Sequence, residues 1–294
     1  MTARGIAKKY GEFFAVRGID FEIERAECVG LLGPNGAGKS TTMRMIMGLS
    51  SISDGSLNIF GKPVQSLNRG SKARIGLVPQ ENNFDPDITV RENLEVFGRY
   101  FSLPKLVIRE RALDLLEFMN LTDKADLLLN NLSGGMRRRL ILSRALIGNP
   151  DLIILDEPTT GLDPQARSLI WNRLLELKNG GRTLLLSTHY MEEAQRLCDR
   201  IIIIDKGIIL DNGSPKKLIE RHVGKYVFEV QKSDYLEPQE CKWFREDVGH
   251  SINYFVGNSD DFCAWLPKNA KYNQRLGNLE DVFFFLTGRQ LRDS

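Results

Sequence analysis

The sequence predicts an α/β fold with a mostly parallel sheet core, an antiparallel β part at the N-terminus, a helical insertion and a small C-terminal α+β domain. The main observation is a set of short apolar runs without polar alternation, which is typical of strands buried on both faces of a helix-covered parallel sheet. These runs are Cys28–Leu32, Ile75–Val78, Leu152–Leu155, Leu184–Ser187 and Ile201–Ile204. The helical insertion and the C-terminal domain are predicted by two later changes in the pattern.

The N-terminal β part is indicated by a strict alternation of apolar and acidic residues. Phe21 and Ile23 alternate with Glu22 and Glu24, which is typical of a strand with one exposed face. Near the other end of the sheet, Asp205-Lys206-Gly207 separates two apolar runs and predicts a hairpin.

Between Asn83 and Asn131 the apolar residues follow helical spacing. They are Leu94, Phe97, Tyr100 and Phe101, followed by Ala112, Leu115, Leu116 and Met119. We therefore expect a helical subdomain at about 83–150, inserted in a first domain that covers 1–222.

The tail, 223–294, has a different pattern. Tyr226–Val230 is typical of a strand, and Leu279–Leu286 predicts a final apolar helix. Phe283–Phe285 is expected to belong to the core of this domain, with a docking surface for a partner as the alternative.

Composition limits the function classes. The chain is 42% hydrophobic and 27% charged with a formal net charge of +2, which argues against disorder and against nucleic acid as a partner. The apolar runs are far shorter than the roughly 18 residues of a membrane span, so any membrane role must come through another chain. No secretory signal pattern is present at the N-terminus, and the four cysteines are scattered, which favours a reducing, cytoplasmic compartment.

A phosphate-binding loop is predicted between the first apolar run and a helix. Gly33–Ser40 has the pattern G-x-x-x-x-G-K-S, in which backbone N–H groups and a helix N-terminus surround phosphate oxygens. Lys39 is expected to reach the β- and γ-phosphates and Ser40 to bind Mg²⁺. The alternative is a glycine-rich turn without a ligand. The expected nucleotide contacts are Gly33, Pro34, Asn35, Gly36, Ala37, Gly38, Lys39, Ser40 and Thr41.

Two adjacent carboxylates end a second buried run. Asp156 is able to hold Mg²⁺ through water, while Glu157 is able to orient or deprotonate an attacking water. The alternative is an acidic turn that ends the strand before Pro158.

A second anion site is predicted where Ser133, Gly134 and Gly135 precede a helix. The alternative is a serine that only caps the helix. The run Arg137–Arg139 opposes the helix dipole, which favours a nearby anion, although a solvated basic face explains at least some of these arginines.

Taken in order, these motifs resemble the nucleotide-binding subunit of an ABC transporter, and the resemblance extends from Thr2 to about Arg221. It implies the ABC type of P-loop NTPase fold, with ATP and Mg²⁺ as cofactors. It also implies an ATP-sandwich dimer of two copies and a separate multi-helix membrane permease. The chain would then lie at the cytoplasmic face of the cell membrane.

The resemblance implies four further site residues. Gln80 would sense Mg²⁺ and the attacking water, and would begin the segment that faces the membrane partner. Asp163 would cross the dimer interface, and His189 would contact the γ-phosphate. Tyr10 would stack on adenine, although Phe13 and Phe14 are alternatives.

The chain departs from the family pattern at two positions. Met136 stands where the signature usually has glutamine, so the side chain has no amide to donate a hydrogen bond. Ala26 stands where the turn before the first buried strand usually has glycine, which is tolerable unless the backbone needs a positive φ.

Three local sequences resemble the exporter ATPases for daunorubicin resistance and nodulation factors, in which cargo moves outward. They are Leu132–Arg139, Ser187–Ala194 and Leu279–Arg289. A competing hypothesis is a soluble ABC-type ATPase that acts on ribosomes or DNA. Such relatives usually carry two cassettes or long coiled coils, which this sequence lacks. A non-catalytic regulator is disfavoured because Glu157 and His189 are both present.

Overall fold

The computed structural model describes residues 1–80, 84–232, 241–268 and 270–288. The chain divides into two compact units, Met1–Ile209 and Leu210–Ser294. No helix in the described ranges is both long and apolar enough to cross a membrane.

An antiparallel sheet with the order β2-β1-β4-β5 forms the N-terminal part of the first unit, as predicted. Its strands are β1 (Thr2–Tyr10), β2 (Phe13–Glu22), β4 (Asp54–Ile59) and β5 (Lys62–Pro63).

The second sheet has the order β10-β9-β3-β8-β7-β6. Its strands are β3 (Cys28–Leu32), β6 (Ile75–Val78), β7 (Leu152–Asp156), β8 (Thr183–Thr188), β9 (Arg200–Asp205) and β10 (Ile208–Gly213). The pairs β3–β8, β3–β9, β7–β8 and β6–β7 are parallel. Every residue of β3 and β7 is buried, which confirms the strands predicted from unbroken apolar runs.

The predicted hairpin joins β9 to β10. Lys206 and Gly207 both have positive φ, the conformation of a two-residue type I′ turn. β10 contains the point at which the chain divides into its two units.

The helices of the first unit are α1 (Lys39–Ile46), α2 (Arg69–Ala73), α3 (Val90–Arg99), α4 (Lys105–Phe118), α5 (Gly134–Leu146), α6 (Pro164–Asn179) and α7 (Met191–Leu197). The helices α3, α4 and α5 lie between β6 and β7 and form the predicted helical insertion. Tyr100 and Phe101 continue the helical spacing but follow the end of α3 at Arg99, with Tyr100 as its C-cap, and Ser102 then adopts a positive φ.

Parallel pairing brings the carboxyl ends of four strands to one edge of the sheet. In the register, Leu32 pairs with Thr188, and Asp156 pairs with Ser187. Val78 pairs with the residue before Asp156. The segments that follow β3, β6, β7 and β8 therefore all begin at this edge, where open α/β sheets usually bind ligands.

The second unit contains an antiparallel sheet with the order β12-β13-β11-β14. The strands are β11 (Tyr226–Gln231), β12 (Phe244–Asp247), β13 (Ser251–Val256) and β14 (Tyr272–Leu276), and the helices are α8 (Pro215–His222), α9 (Ser259–Trp265) and α10 (Leu279–Thr287). Phe228, Tyr254 and Phe262 lie in its apolar core.

The division between the units lies before α8, whereas the predicted boundary follows it, between 222 and 223. The reason is that α8 packs against α10. Of the predicted aromatic stripe, Phe283 is buried and Phe285 is 38% exposed. Arg289, which ended one of the resemblances, lies outside the described residues.

Candidate nucleotide site

The loop after β3 depends on glycines that let it press against its neighbours. A Cβ on Gly33 would lie 2.1 Å from the Ile204 carbonyl oxygen, and one on Gly38 would lie 2.6 Å from that of Ala15. Gly38 also has a φ of +105°. Both glycines are therefore required by packing against β9 and β2, and together they hold the start of α1 at the sheet edge.

The N-terminus of α1 has the properties of an anion site. Gly38 is the N-cap residue, and within the described residues no side chain caps the helix. The N–H groups of the first turn point out of the helix and carry its positive dipole end. Asn35 and Gly36 are exposed, so a phosphate group is able to reach these donors.

Lys39, the first residue of α1, is buried, and its side chain folds back onto the loop. Its Nζ donates hydrogen bonds to the carbonyl oxygens of Gly33 (2.8 Å) and Pro34 (2.9 Å). The same Nζ lies 4.0 Å from Oε1 of Glu157. Burial lowers the pKa of the Lys39 ammonium, and the carboxylates of Glu157 and Asp156 oppose this effect. A cation is thus held between the loop and the end of β7.

Asp156 is positioned by the neighbouring strand β8. The hydroxyl of Ser187 donates to Oδ1 of Asp156 at 2.5 Å and accepts from the backbone N–H of Glu157 at 3.1 Å. Because Asp156 is buried, this bond fixes the orientation of its carboxylate. Ser187 is not among the site residues predicted from the sequence, although its place in Ser187-Thr188-His189 at the end of a buried strand was a usable signal.

Glu157 is buried and adopts a φ of +47°, which is uncommon for a residue with a side chain. Its Oε1 lies 3.4 Å from Nδ1 of His189, and its Oε2 accepts a hydrogen bond from Thr160 at 3.1 Å. The hydrogen bond with His189 lowers the pKa of the Glu157 carboxyl, burial opposes this, and Lys39 contributes in the same direction as His189. The structure therefore brings Lys39, Asp156, Glu157 and His189 together in one cluster, as predicted.

The residues present fit a nucleotide with Mg²⁺. Ser40 is exposed on the first turn of α1, and the buried carboxylate of Asp156 lies at the end of β7. Hydroxyl and carboxylate oxygens are ligands that Mg²⁺ prefers, and Lys39 with the first turn of α1 complements phosphate charge.

Ser133 is the N-cap of α5 and accepts a hydrogen bond from the N–H of Met136 at 3.3 Å. Asp163 caps α6 in the same way through the N–H of Ala166 at 2.8 Å. Both side chains are exposed, and the hydrogen bonds of the described residues do not connect either to Lys39. Ser133 thus caps the helix, and its hydroxyl proton is not used by that bond.

Gln80 and Tyr10 lie at the borders of the site. Gln80 is exposed, and residues 81–83, which begin the segment expected to face a partner, lie outside the described residues. Tyr10 (50% exposed), Phe13 (63%) and Phe14 (42%) surround the turn between β1 and β2. All three rings are therefore accessible at this turn.

Two arginines of the run on α5 bond to backbone carbonyl groups of the chain. Arg138 is buried and donates to backbone carbonyl groups, and Arg139 donates to those of Met119 and Asn120. Helical spacing is the signal that could have identified Arg138, because Ile141, Leu142 and Ala145 on the same face are all buried.

Comparison with known proteins agrees with this geometry. A family model described as ABC transporter matches residues 16–160. The chain is 47% identical to a "Nod factor export ATP-binding protein I" of Cupriavidus metallidurans, over 100% of this chain and 99% of that protein. A protein of the same name from Paraburkholderia xenovorans is also 47% identical, over 98% of this chain and 97% of that protein.

Solved structures give the same result. One is described as the ATP-binding subunit of an ABC transporter, with a TM-score of 0.68 and 28% identity over 75% of this chain and 92% of that chain. Another is described as a dimeric post-hydrolysis state of an ATP-binding cassette bound to ADP and Pi. It has a TM-score of 0.65 and 29% identity over 72% of this chain and 97% of that chain.

Proposed function

The chain belongs to the ABC transporter family as an ATP-binding subunit, and from this premise we propose that two copies close on ATP and power export through a separate membrane-spanning chain. The observation that carries the proposal is the buried cluster at one edge of the sheet. There Lys39 lies 4.0 Å from Glu157, and Ser187 holds Asp156.

We infer the following roles on the phosphate side of the site. The N–H groups of the loop and of the first turn of α1 bind the phosphates, with Lys39 on the β- and γ-phosphates. Ser40 and Gln80 would hold Mg²⁺ directly and Asp156 through water. The ion supplies charge neutralisation at the phosphate oxygens when bound.

Glu157 is proposed to act on the attacking water. Its lowered pKa means that the carboxylate is ionised at neutral pH and accepts a hydrogen bond, but it is also a weak base. Orientation of the water is therefore expected to contribute more than proton abstraction, in keeping with phosphoryl transfer as a reaction governed by positioning. His189, whose Nδ1 lies 3.4 Å from Oε1 of Glu157, is proposed to contact the γ-phosphate. Tyr10 is proposed to stack on adenine.

A second copy is proposed to complete each site. Ser133, Gly134 and Asp163 are exposed at helix N-termini, where N–H groups and a hydroxyl favour an anion. Gly135 completes this turn. One copy would supply Lys39 and Glu157 and the other the Ser133 turn, as the dimeric form of a related cassette supports.

An apolar cleft next to Gln80 is proposed to receive the membrane-spanning chain. It has a volume of about 650 Å³, and its lining includes Leu77, Pro79 and Phe101. Two further lining residues, Leu49 and Tyr100, are 71% and 68% exposed. Because the cleft includes the residue before Gln80, a partner seated there would respond to changes at the ATP site.

Outward transport is proposed from the relatives, which are named for export of Nod factor. The cargo itself would be selected by the membrane chain. The cytoplasmic face of the membrane is the proposed location, because ATP is available there.

Affinity purification tests the function directly. A tagged Glu157→Gln chain, isolated with ATP from detergent-solubilised native membranes, is expected to bring down a stoichiometric polytopic membrane protein and to have lost about 10²–10⁴-fold in turnover. Recovery with ribosomes, or without any partner, would contradict the transporter proposal.

A second variant tests whether the cleft binds the membrane-spanning chain. Tyr100→Glu places a charge in the cleft, and we expect it to lose the membrane protein while ATP hydrolysis by the free chain is unchanged. Retention of the partner by Tyr100→Glu would remove the cleft from the proposal.

A further inference from the structure

Arg138 is an almost fully buried arginine whose guanidinium contacts only backbone carbonyl groups among its described hydrogen bonds. Nε donates to Pro158 at 2.6 Å, and Nη2 donates to Asp156 at 2.9 Å and Glu157 at 2.8 Å. Nη1 donates to Pro79 at 2.6 Å and Gln80 at 3.4 Å. A guanidinium has five N–H groups, so each has a carbonyl oxygen as its partner.

The five carbonyl groups belong to two segments, one with Glu157 and one with Gln80, the two residues proposed to contact the attacking water. Three are consecutive, from Asp156 to Pro158, and two follow β6 and end at Gln80. In an extended strand, consecutive carbonyl groups point in opposite directions, so three of them reach one cation only if the backbone turns. The φ of +47° at Glu157 supplies that turn.

The arginine therefore stabilises the unusual backbone conformation of Glu157. Charge-assisted hydrogen bonds are stronger than neutral ones, and the three to Asp156, Glu157 and Pro158 are buried. Burial lowers the pKa of Arg138 to about 10, so the side chain stays protonated at neutral pH.

We propose that Arg138 is a positioning residue for ATP hydrolysis, which holds the backbones of Glu157 and Gln80 so that both side chains face the same attacking water. The inference rests on the proposed roles of those two residues. Arg138 also lies on α5, the helix that Ser133 caps. The helix therefore connects the Ser133 turn, proposed to bind the ATP of the second copy, with Glu157 and Gln80 of the same chain. Arg138 itself does not touch the nucleotide in this proposal.

Substitution tests the role. In Arg138→Gln the amide has two N–H groups for five carbonyl groups, and displacement of a reacting group by about 1 Å is able to cost about 100-fold in rate. We expect kcat to fall by that order while KM for ATP and the Kd for a fluorescent ATP analogue are unchanged. Arg138→Lys, with three N–H groups, is expected to recover part of the loss.

Arg139→Gln is the matched control. Arg139 is the next residue of the helix and also donates to backbone carbonyl groups, at 2.8 and 2.9 Å, but these belong to the two residues that follow α4. We expect its kcat to equal that of the unmodified chain. Urea unfolding of both variants separates a general loss of stability from the loss of kcat. If Arg138→Gln does not fold, Arg138→Lys carries the same comparison.

A double-mutant cycle shows whether Arg138 acts through Glu157. In the Glu157→Gln background, Arg138→Gln is expected to slow single turnover much less than it does in the unmodified chain, because Gln80 is then the only one of the two positioned groups that remains. Independent, multiplying effects would overturn the proposal, as would a raised KM with unchanged kcat. Normal turnover in Glu157→Gln alone would instead refute the proposed role of Glu157, and that outcome is visible before Arg138 is changed.

Discussion

Glu157 and Ala26 both adopt left-handed backbone conformations, with φ values of +47° and +58°. At Glu157, three consecutive carbonyl groups and the side chain are all engaged, so the strained conformation is supported by its surroundings. At Ala26, the described contact is one hydrogen bond from its N–H to Thr183, which glycine would also form. Ala26 is also exposed, so removal of its methyl group takes nothing from the core.

We predict that Ala26→Gly stabilises the chain. The left-handed conformation costs about 1–2 kcal/mol for a residue with Cβ. Glycine loses about 0.5–1 kcal/mol in conformational entropy, so the net gain in the free energy of unfolding is about 0.5–1 kcal/mol. Urea unfolding of the two proteins measures this difference.

Ala73→Gly is the control for that measurement. Ala73 lies at the last position of α2, where glycine is expected to destabilise by up to about 1 kcal/mol. Equal effects of the two substitutions would mean that the positive φ of Ala26 is not a source of strain.

At the scale of single elements, α5 connects the exposed Ser133 turn, the ends of β6 and β7, and the segment that follows α4. Ser133 caps its N-terminus, Arg138 reaches the ends of β6 and β7, and Arg139 reaches the residues that follow α4. A movement of this helix would therefore shift both the exposed Ser133 turn and the backbone of Glu157.

We predict that Ser133→Arg abolishes hydrolysis without preventing ATP binding to the free chain. The arginine would fill the space where the second copy's γ-phosphate is proposed to lie, while the loop at Gly33–Ser40 is untouched. Loss of one anion-binding donor typically costs about 10²–10³-fold in rate. Turnover and binding of a fluorescent ATP analogue measure the two effects separately.

Ser214→Arg is the matched control, because Ser214 is also an N-cap serine, at the start of α8. It is expected to leave turnover unchanged. Equal losses in both variants would mean that Ser133 acts only as a helix cap.

Much of the fold was predictable because buried parallel strands leave an unbroken apolar run, which does not depend on distant residues. β3 and β6 begin and end at the predicted residues. The end of α3 was not predictable from periodicity, since Tyr100 continues the helical spacing although the helix stops at Arg99.

The cluster of Lys39, Asp156, Glu157 and His189, proposed as the catalytic site, was predictable from motifs, but the contacts that support it were not. Arg138 donates to the carbonyl groups of Pro79 and Gln80, which lie 59 and 58 positions earlier in the chain. Every residue has a backbone carbonyl group, so the sequence does not indicate which ones accept these bonds. The positive φ of Glu157 belongs to the same arrangement and has no local signal either.

At the scale of the whole molecule, the proposed site residues of one chain fall into two groups. The cluster around Lys39 is buried, whereas Ser133 and Asp163 are exposed and are not joined to it by the described hydrogen bonds. This separation within one chain is the structural reason to propose that two copies share each ATP.

Light scattering of the Glu157→Gln chain with and without ATP tests that shared site most directly. A chain of 33.3 kDa that binds ATP without hydrolysing it is expected to double its mass when ATP is added, and to remain a monomer without it. Adding Ser133→Arg to the same chain is expected to keep it monomeric. A mass that does not respond to ATP would contradict the shared site.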